Sequence, residues 1–265
     1  MRPVTTQCFI KVSHFMVELR KRLSQALAHT ALLGKLLRWP LSLLPDNISL
    51  PILTGPLLGT KWILHSSIYA CWFGTYEHQK QNSIAKMVEP GTVFYDIGSN
   101  VGFYTLLAST LVGERGKVFS FEPLPSNLLF LHRHLALNCT ENVIVVEAAV
   151  SDASGQARFA NGPRGEMAHI SPTGSLLVQT VSLDNLFIQG SILPPNYIKI
   201  DAEGAELQIL QGSRIVIERT RPVIFLATHG HHLAAACLKY LNGFGYQIGI
   251  IDGLENEYIA FPGRI

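Results

Sequence analysis

The run Val93-Phe94-Tyr95-Asp96-Ile97-Gly98-Ser99-Asn100-Val101-Gly102-Phe103-Tyr104-Thr105 constrains the fold of this chain more than any other segment. A short apolar strand ends in a carboxylate, two glycines four residues apart turn the chain, and an apolar helix follows. Strand, glycine turn and helix in that order are how an α/β sheet brings backbone N–H groups up to a nucleotide-like ligand. Two details narrow the ligand. Asp96 at the strand tip would oppose an anion such as a pyrophosphate. The glycines also read G-x-x-x-G, not the G-x-G-x-x-G that lets a backbone approach a pyrophosphate. A ligand with a nucleoside at one end and a cationic amino-acid group at the other suits Asp96 far better.

Downstream, strand and helix alternate. Strands are predicted at 92–96, 117–121, 143–149, 196–201, 222–228 and 245–251, and helices at 102–112, 125–138, 204–218 and 231–242. The strands are short and nearly all apolar, as strands covered on both faces should be. This alternation predicts a doubly wound, mostly parallel sheet. Residues 153–181 depart from it. Their glycines and prolines, followed by Leu176-Leu177-Val178 and Thr180-Val181, predict antiparallel hairpins in place of a crossover helix.

The first 90 residues read differently. Val12, Met16, Leu19, Leu23, Ala26, Leu27 and Leu33 recur at helical spacing, which predicts an amphipathic helix over 12–38. Residues 1–38 carry seven Lys/Arg against the single acid Glu18, while the rest of the chain has 14 basic and 18 acidic residues. That arm is either a solvated basic face or a peripheral contact with membrane. Pro40, Pro45, Pro51 and Pro56 then break regular structure, and a helix is predicted at 77–88. The division predicted is an arm with a Pro-rich linker at 1–50, an entry segment or lid at 51–90, and the main domain at 91–265. A net charge of +2 gives no argument for nucleic acid. Cys8, Cys71, Cys139 and Cys237 are scattered without a C-x-x-C pair, which fits a reducing compartment. No long apolar run or signal-peptide core is present, so a cytoplasmic protein is expected.

Ligands of open α/β sheets bind beyond the carboxyl ends of the strands. Asp96, Glu122, Asp152 and Asp201 all fall at or just after such ends. S-adenosylmethionine is a ligand that four carboxylates could grip. Glu122 can accept both hydroxyls of a ribose, or it is a solvated strand end. Asp152 can accept from the exocyclic amine of adenine, or it opens a turn. In Lys199-Ile200-Asp201-Ala202-Glu203-Gly204-Ala205-Glu206, Asp201 points at the crevice, and Glu203 and Glu206 fall in the first turn of a helix, where acids favour the dipole. A buried Lys199 needs a carboxylate partner, Asp201 or Glu203. His229, after the strand 223–228, can act as general base toward a hydroxyl. Capping or packing is the plainer role. Metal ligation competes, but its neighbours offer no third ligand at a defined spacing, and no metal is assigned.

D-I-G-S-N-V-G-F-Y-T at 96–105 and I-K-I-D-A-E-G-A-E at 198–206 together resemble the FkbM family of S-adenosylmethionine-dependent methyltransferases. The resemblance continues through Gly74-Thr75-Tyr76-Glu77, Phe121-Glu122-Pro123-Leu124-Pro125-Ser126-Asn127, Asn138, Ala148-Ala149-Val150-Ser151-Asp152, Ser182-Leu183-Asp184 and Arg221-Pro222, covering roughly residues 55–260. It implies a class I methyltransferase fold with a seven-stranded sheet and one antiparallel edge strand. It also implies methyl transfer to a hydroxyl of a sugar, polyketide or other natural product. On that likeness Asp96, Gly98, Asn100, Gly102, Glu122, Asp152 and Glu77 bind the cofactor, S-adenosyl-L-methionine, and Asp201 lies beside the reacting methyl. The family's often acidic position after the fifth strand reads Ala227-Thr228-His229 here, so the base is Asp201 or His229. Two other readings stand beside it: a cofactor-binding but inactive partner protein, and a nucleotide-dependent oxidoreductase. Specificity for the acceptor is expected in the 153–181 hairpins and the 55–90 lid.

Overall fold

The computed structural model describes residues 41, 43–160, 169–170 and 174–263. The helix expected over 12–38, and the membrane contact expected of it, lie outside these residues. The chain divides into two compact units, Met1–His78 and Gln79–Ile265. Among the described residues, no helix is long and apolar enough to cross a membrane.

In the first unit, β1 (Ser49–Pro51) and β2 (Lys61–Ile63) pair antiparallel. A short helix, α1 (Tyr69–Phe73), ends on Gly74 at φ 74°, a left-handed conformation that suits glycine. A Cβ at position 74 would also stand 1.9 Å from the Thr54 carbonyl oxygen, so only glycine fits this approach.

The second unit opens with α2 (His78–Met87), a polar helix whose first residue ends the first unit. Then come β3 (Val93–Ile97), α3 (Phe103–Val112), β4 (Lys117–Phe121), α4 (Pro125–Leu137) and β5 (Val143–Val146). A smaller set follows: β6 (Ala149–Val150), β7 (Gly155–Ala160), β8 (His169–Ile170), β9 (Leu176–Val181) and α5 (Leu183–Ile188). The chain closes with β10 (Tyr197–Ile200), α6 (Glu206–Gln211), α7 (Arg214–Thr220), β11 (Val223–Ala227), α8 (His231–Gly243), β12 (Tyr246–Ile250) and β13 (Glu257–Pro262). The main sheet runs β12-β13-β11-β10-β3-β4-β5. It is doubly wound and mostly parallel, with seven strands, as expected. The strand order reverses between β3 and β10, and such a switch point leaves a crevice at the strands' carboxyl ends.

Alternation along β3 sets the core. Phe94 stacks against Tyr197 on the neighbouring β10 and against Phe225 on β11, the strand beyond it. Tyr95, facing the other way, meets Phe119 and Phe121 edge-on. Both faces are thus aromatic and buried, which explains why the strands carry so few polar residues.

Residues 155–181 do form antiparallel pairs, β7 with β8 and with β9. Four details depart from the expectations. The antiparallel strand is β13, which lies one place in from the edge, between β11 and β12. It returns from the edge strand β12 and slots inside it. The strand expected over 143–149 stops at Val146, because Ala148 N–H turns back to the Val146 carbonyl at 2.8 Å. Residues 149–150 then join the four-stranded sheet by pairing with β9. The helix expected over 204–218 starts at Glu206 and breaks at Gly212. A Cβ there would stand 2.1 Å from the Ser151 carbonyl oxygen, so the chain passes backbone on backbone. Asp184 then caps α7 from a distance, its carboxylate accepting from the Ile215 and Val216 N–H groups at 3.0 Å each.

Candidate active site

The glycine loop between β3 and α3 is held by its own hydrogen bonds. Gly98 and Ser99 N–H both donate to the Phe121 carbonyl, Asn100 N–H to Glu122 Oε2 at 2.8 Å, Val101 N–H to the Asn100 side chain, and Gly102 N–H to Ser99. Gly98, at φ 72°, is where the loop meets the β10 turn. A Cβ there would stand 1.8 Å from the Asp201 carbonyl oxygen. Asn100 is exposed, at φ 51°. Gly102, at φ 96°, starts α3 where any side chain would press on Leu131. His134 on α4 supports the loop from below, its Nδ1 donating to the Val101 carbonyl at 2.7 Å. Burial holds this imidazole neutral, lowering its pKa from the usual 6.5 to about 4.

Glu122 is buried and fully engaged. Oε2 takes Asn100 N–H, and Oε1 takes Leu124 N–H and the Asn127 side chain at 3.0 Å each. Burial raises its carboxyl above the usual value, against the pull of those three donors and of Lys199. It staples the glycine loop to β4, and a ribose would have to share its remaining lone pairs.

Asp96 differs from the sequence expectation in a way that matters. Its carboxylate is completely buried and not offered to the crevice. Oδ2 accepts from Thr105 Oγ1 at 2.7 Å, and Thr105 reaches Ser120 Oγ at 3.0 Å. Oδ1 lies 3.1 Å from Lys199 Nζ, an ion pair. Parallel register explains the row, since Lys199 stands opposite Asp96, and Asp96 opposite Ser120, on three adjacent strands. Asp96 therefore acts on the crevice through Lys199, whose Nζ also donates to the Gly98 carbonyl at 2.9 Å.

Asp201 follows β10, and its two oxygens face different groups. Oδ2 lies 3.4 Å from Lys80 Nζ and 3.9 Å from Lys199 Nζ. Oδ1 lies 3.9 Å from His229 Nε2. Burial alone would raise this carboxyl, but Lys80, Lys199 and His229 together hold it below the usual range. Lys80 reaches in from α2, fully buried, and is also paired with Glu257 at 2.7 Å. Both ammonium groups lie about equally over the Tyr104 ring, 5.3 and 5.4 Å from its centroid. The sequence assigns no such role to Lys80, Glu257 or Tyr104. Lys80 sits in a helix polar enough to read as solvated, and Glu257 opens a strand that was not foreseen.

Glu203 is not in a helix turn. It adopts φ 48°, left-handed and unusual for glutamate, in the turn before α6. Its Oε2 thereby comes 3.3 Å from His229 Nε2. Glu206, fully buried, accepts from Ala202 and Gly204 N–H and from His229 Nδ1 at 2.8 Å, all through Oε1. Its Oε2 has no hydrogen-bond partner. The hydrogen bond that His229 donates to Glu206 raises the His229 pKa to about 9, with Glu203 and Asp201 adding to it against partial burial. At neutral pH this ring holds both protons, which opposes the expected role of His229 as a general base. Asp201, Glu203 and His229 each offer a ligand atom, all within 4.8 Å of one another. The third ligand that sequence spacing lacked comes from the neighbouring strand end, because β10 and β11 run side by side. Across the network, Asp96, Asp201, Glu203, Glu206 and Glu257 face Lys80 and Lys199, a surplus of three negative charges before His229 is counted.

Asp152 is exposed and follows β6 in the four-stranded sheet, not a strand of the main sheet; Ser151 Oγ donates to it at 3.0 Å. Glu77 belongs to the first unit, at φ 42°. His231 and His232 are exposed in the first turn of α8.

A family model described as the methyltransferase FkbM domain matches residues 96–248, from β3 into β12. The chain belongs to the FkbM methyltransferase family. The cofactor of FkbM methyltransferases is S-adenosylmethionine, and the matched span holds the glycine loop, Glu122, Asp201 and His229. The hexuronic acid methyltransferase AglP of Haloferax volcanii is 32% identical over 138 residues, which cover 51% of this FkbM chain and 56% of AglP. Ribosomal RNA large subunit methyltransferase E of Chromobacterium violaceum is 41% identical over 49 residues, 18% of this chain and 24% of that protein. The chain thus spans little more than half the length of one curated relative and about a quarter of the other. The crystal structure of methyltransferase FkbM from Methylobacillus flagellatus aligns at TM-score 0.49 and 15% identity, over 92% of this chain and 58% of that one.

Proposed function

We propose that this chain transfers the methyl group of S-adenosylmethionine to a hydroxyl oxygen of a small molecule or glycan, a sugar acid being the first acceptor to test. The observation that carries the reading is the glycine loop. Its five consecutive amides from Gly98 to Gly102 all donate to protein acceptors. Amides so committed leave no cradle for a pyrophosphate, which counts against a nucleotide-dependent oxidoreductase. The surplus of carboxylates at the switch point favours a cationic ligand instead. AglP, named for a hexuronic acid, supports the choice of acceptor.

In this proposal Asp96, Gly98, Asn100, Gly102, Glu122 and Asp152 form the cofactor side. Asp96 and Glu122 act chiefly by positioning Lys199 and the loop. Asp201 and His229 form the acceptor side. Bound S-adenosylmethionine would supply the methyl, its C–S bond breaking as the acceptor oxygen takes the carbon, and Asp201 would take the hydroxyl proton. His229, beside Asp201, helps to position the acceptor.

Titration calorimetry with S-adenosylhomocysteine and with NAD, followed by labelled-methyl transfer to uronic-acid and neutral sugars, tests the reading. Binding of S-adenosylhomocysteine alone is expected, with transfer to a hydroxyl. Asp201→Asn should lower kcat by about 10²–10⁴ while cofactor affinity holds. Preference for NAD sinks the proposal. Cofactor binding without transfer to any hydroxyl would favour the inactive partner.

A further inference from the structure

The cluster beyond the carboxyl ends of β10 and β11 is built as ligand sets for metals are built. His229 donates through Nδ1 to the fully buried Glu206, which fixes the ring and turns Nε2 toward two carboxylates. A histidine oriented by a buried carboxylate is the usual support behind a metal-bound imidazole. Cation–ligand bonds of about 2.1 Å set neighbouring ligand atoms roughly 3.0–3.4 Å apart. The 3.3 Å between His229 Nε2 and Glu203 Oε2 already lies in that range, and the 3.9 Å to Asp201 Oδ1 needs only a small rotation. Glu203 is brought there by a left-handed backbone, which is unfavourable in a residue other than glycine. The side chains of Glu203 and His229 are each 36% exposed, so one face of the cluster stays open.

We propose that Asp201 Oδ1, Glu203 Oε2 and His229 Nε2 bind one divalent cation, with Glu206 as the residue that orients the imidazole. One nitrogen and two carboxylate oxygens suit Mn2+ or Zn2+ better than Ca2+. The proton on Nε2 leaves as the ion enters. Binding needs no methyl donor. Only its use rests on the methyltransferase reading: the open coordination positions would take acceptor oxygens and orient them beside Asp201.

The test is Mn2+ binding to the full chain after chelator treatment, followed by loss of the free-ion EPR signal, with Zn2+ as competitor. One Mn2+ per chain is expected. Glu203→Gln, at a partly exposed position that the fold does not need, should weaken binding at least tenfold. Glu206→Gln should weaken it 10–100-fold through the ring alone. Asp252→Asn, an exposed acid outside the cluster, should leave it unchanged. Absence of stoichiometric uptake, or wild-type affinity in Glu203→Gln, overturns the site. S-adenosylhomocysteine titration of the same samples separates the two readings. If cofactor binds and Mn2+ does not, only the cation site falls; if neither binds, the proposed methyl transfer falls as well.

Discussion

The two halves of the crevice are made of similar residues used in opposite ways. On the β3–β4 side, Asp96 and Glu122 are buried, and their oxygens are taken up by Thr105, Lys199, loop amides and Asn127. On the β10–β11 side, Asp201, Glu203 and His229 are partly exposed, brought together at a turn with an unusual backbone, and negative in sum. The first half spends its charge on shape. The second keeps charge in reserve for something that binds. A carboxylate at a strand tip is therefore not a ligand contact by position alone; its burial and its partners decide which kind it is.

Three measurements can break or sharpen that contrast. The largest effect is expected from Lys199→Met, which leaves Asp96 charged and unpaired in the core and the Gly98 carbonyl without its donor. A loss of about 3–5 kcal/mol in urea unfolding is expected. Adding Asp96→Asn should recover a large part of it. Glu203→Gln on the other side should stay within about 0.5 kcal/mol of wild type. Equal losses at both positions would erase the distinction between the halves.

Acid should loosen the β3–β4 side through His134. Its pKa of about 4 when folded lies below the ordinary 6.5, so the unfolded chain takes up the proton first as pH falls. The stability it contributes is complete above pH 6.5 and is lost as pH falls toward 4, by about 3 kcal/mol at most. Unfolding between pH 7 and 4.5 should show a shallower pH slope in His134→Asn than in wild type. Identical slopes would remove His134 from the account. The smallest effect is expected from Asn127→Ala, which deletes one donor to Glu122. A cost of about 1–2 kcal/mol and a few-fold weaker grip on S-adenosylhomocysteine are expected, by unfolding and by calorimetry.

Much of the fold was legible from the sequence because its signals are local. The apolar run at 93–97, the glycines at 98 and 102 and the apolar helix after them needed no distant partner to be read. So too the carboxylates at 96, 122 and 201. What stayed hidden depends on contacts far apart in the chain. Lys199 was expected to pair with Asp201 or Glu203, yet its closest carboxylate is Asp96, because strand order places β10 beside β3. Asp152 was placed on the main sheet because 143–150 is apolar at every position but Glu147, and hydrophobicity does not record the turn at Ala148. Glu257 lies on a strand that threads back between two others, and Glu203's backbone is a property of its turn. The pair of Glu203 with His229 was visible only as two motifs, never as one cluster.

The Lys199–Asp96 pair has a consequence beyond this molecule. Asp96 is stranded if Lys199 is replaced, whereas Lys199 keeps Asp201 and the Gly98 carbonyl, and the two face one another across parallel strands more than a hundred positions apart. Relatives drifting in sequence are therefore expected to lose Lys199 only together with Asp96 or after it. An order of loss, with Lys199 never absent while Asp96 remains, is the pattern that such a one-sided dependence is expected to leave among relatives.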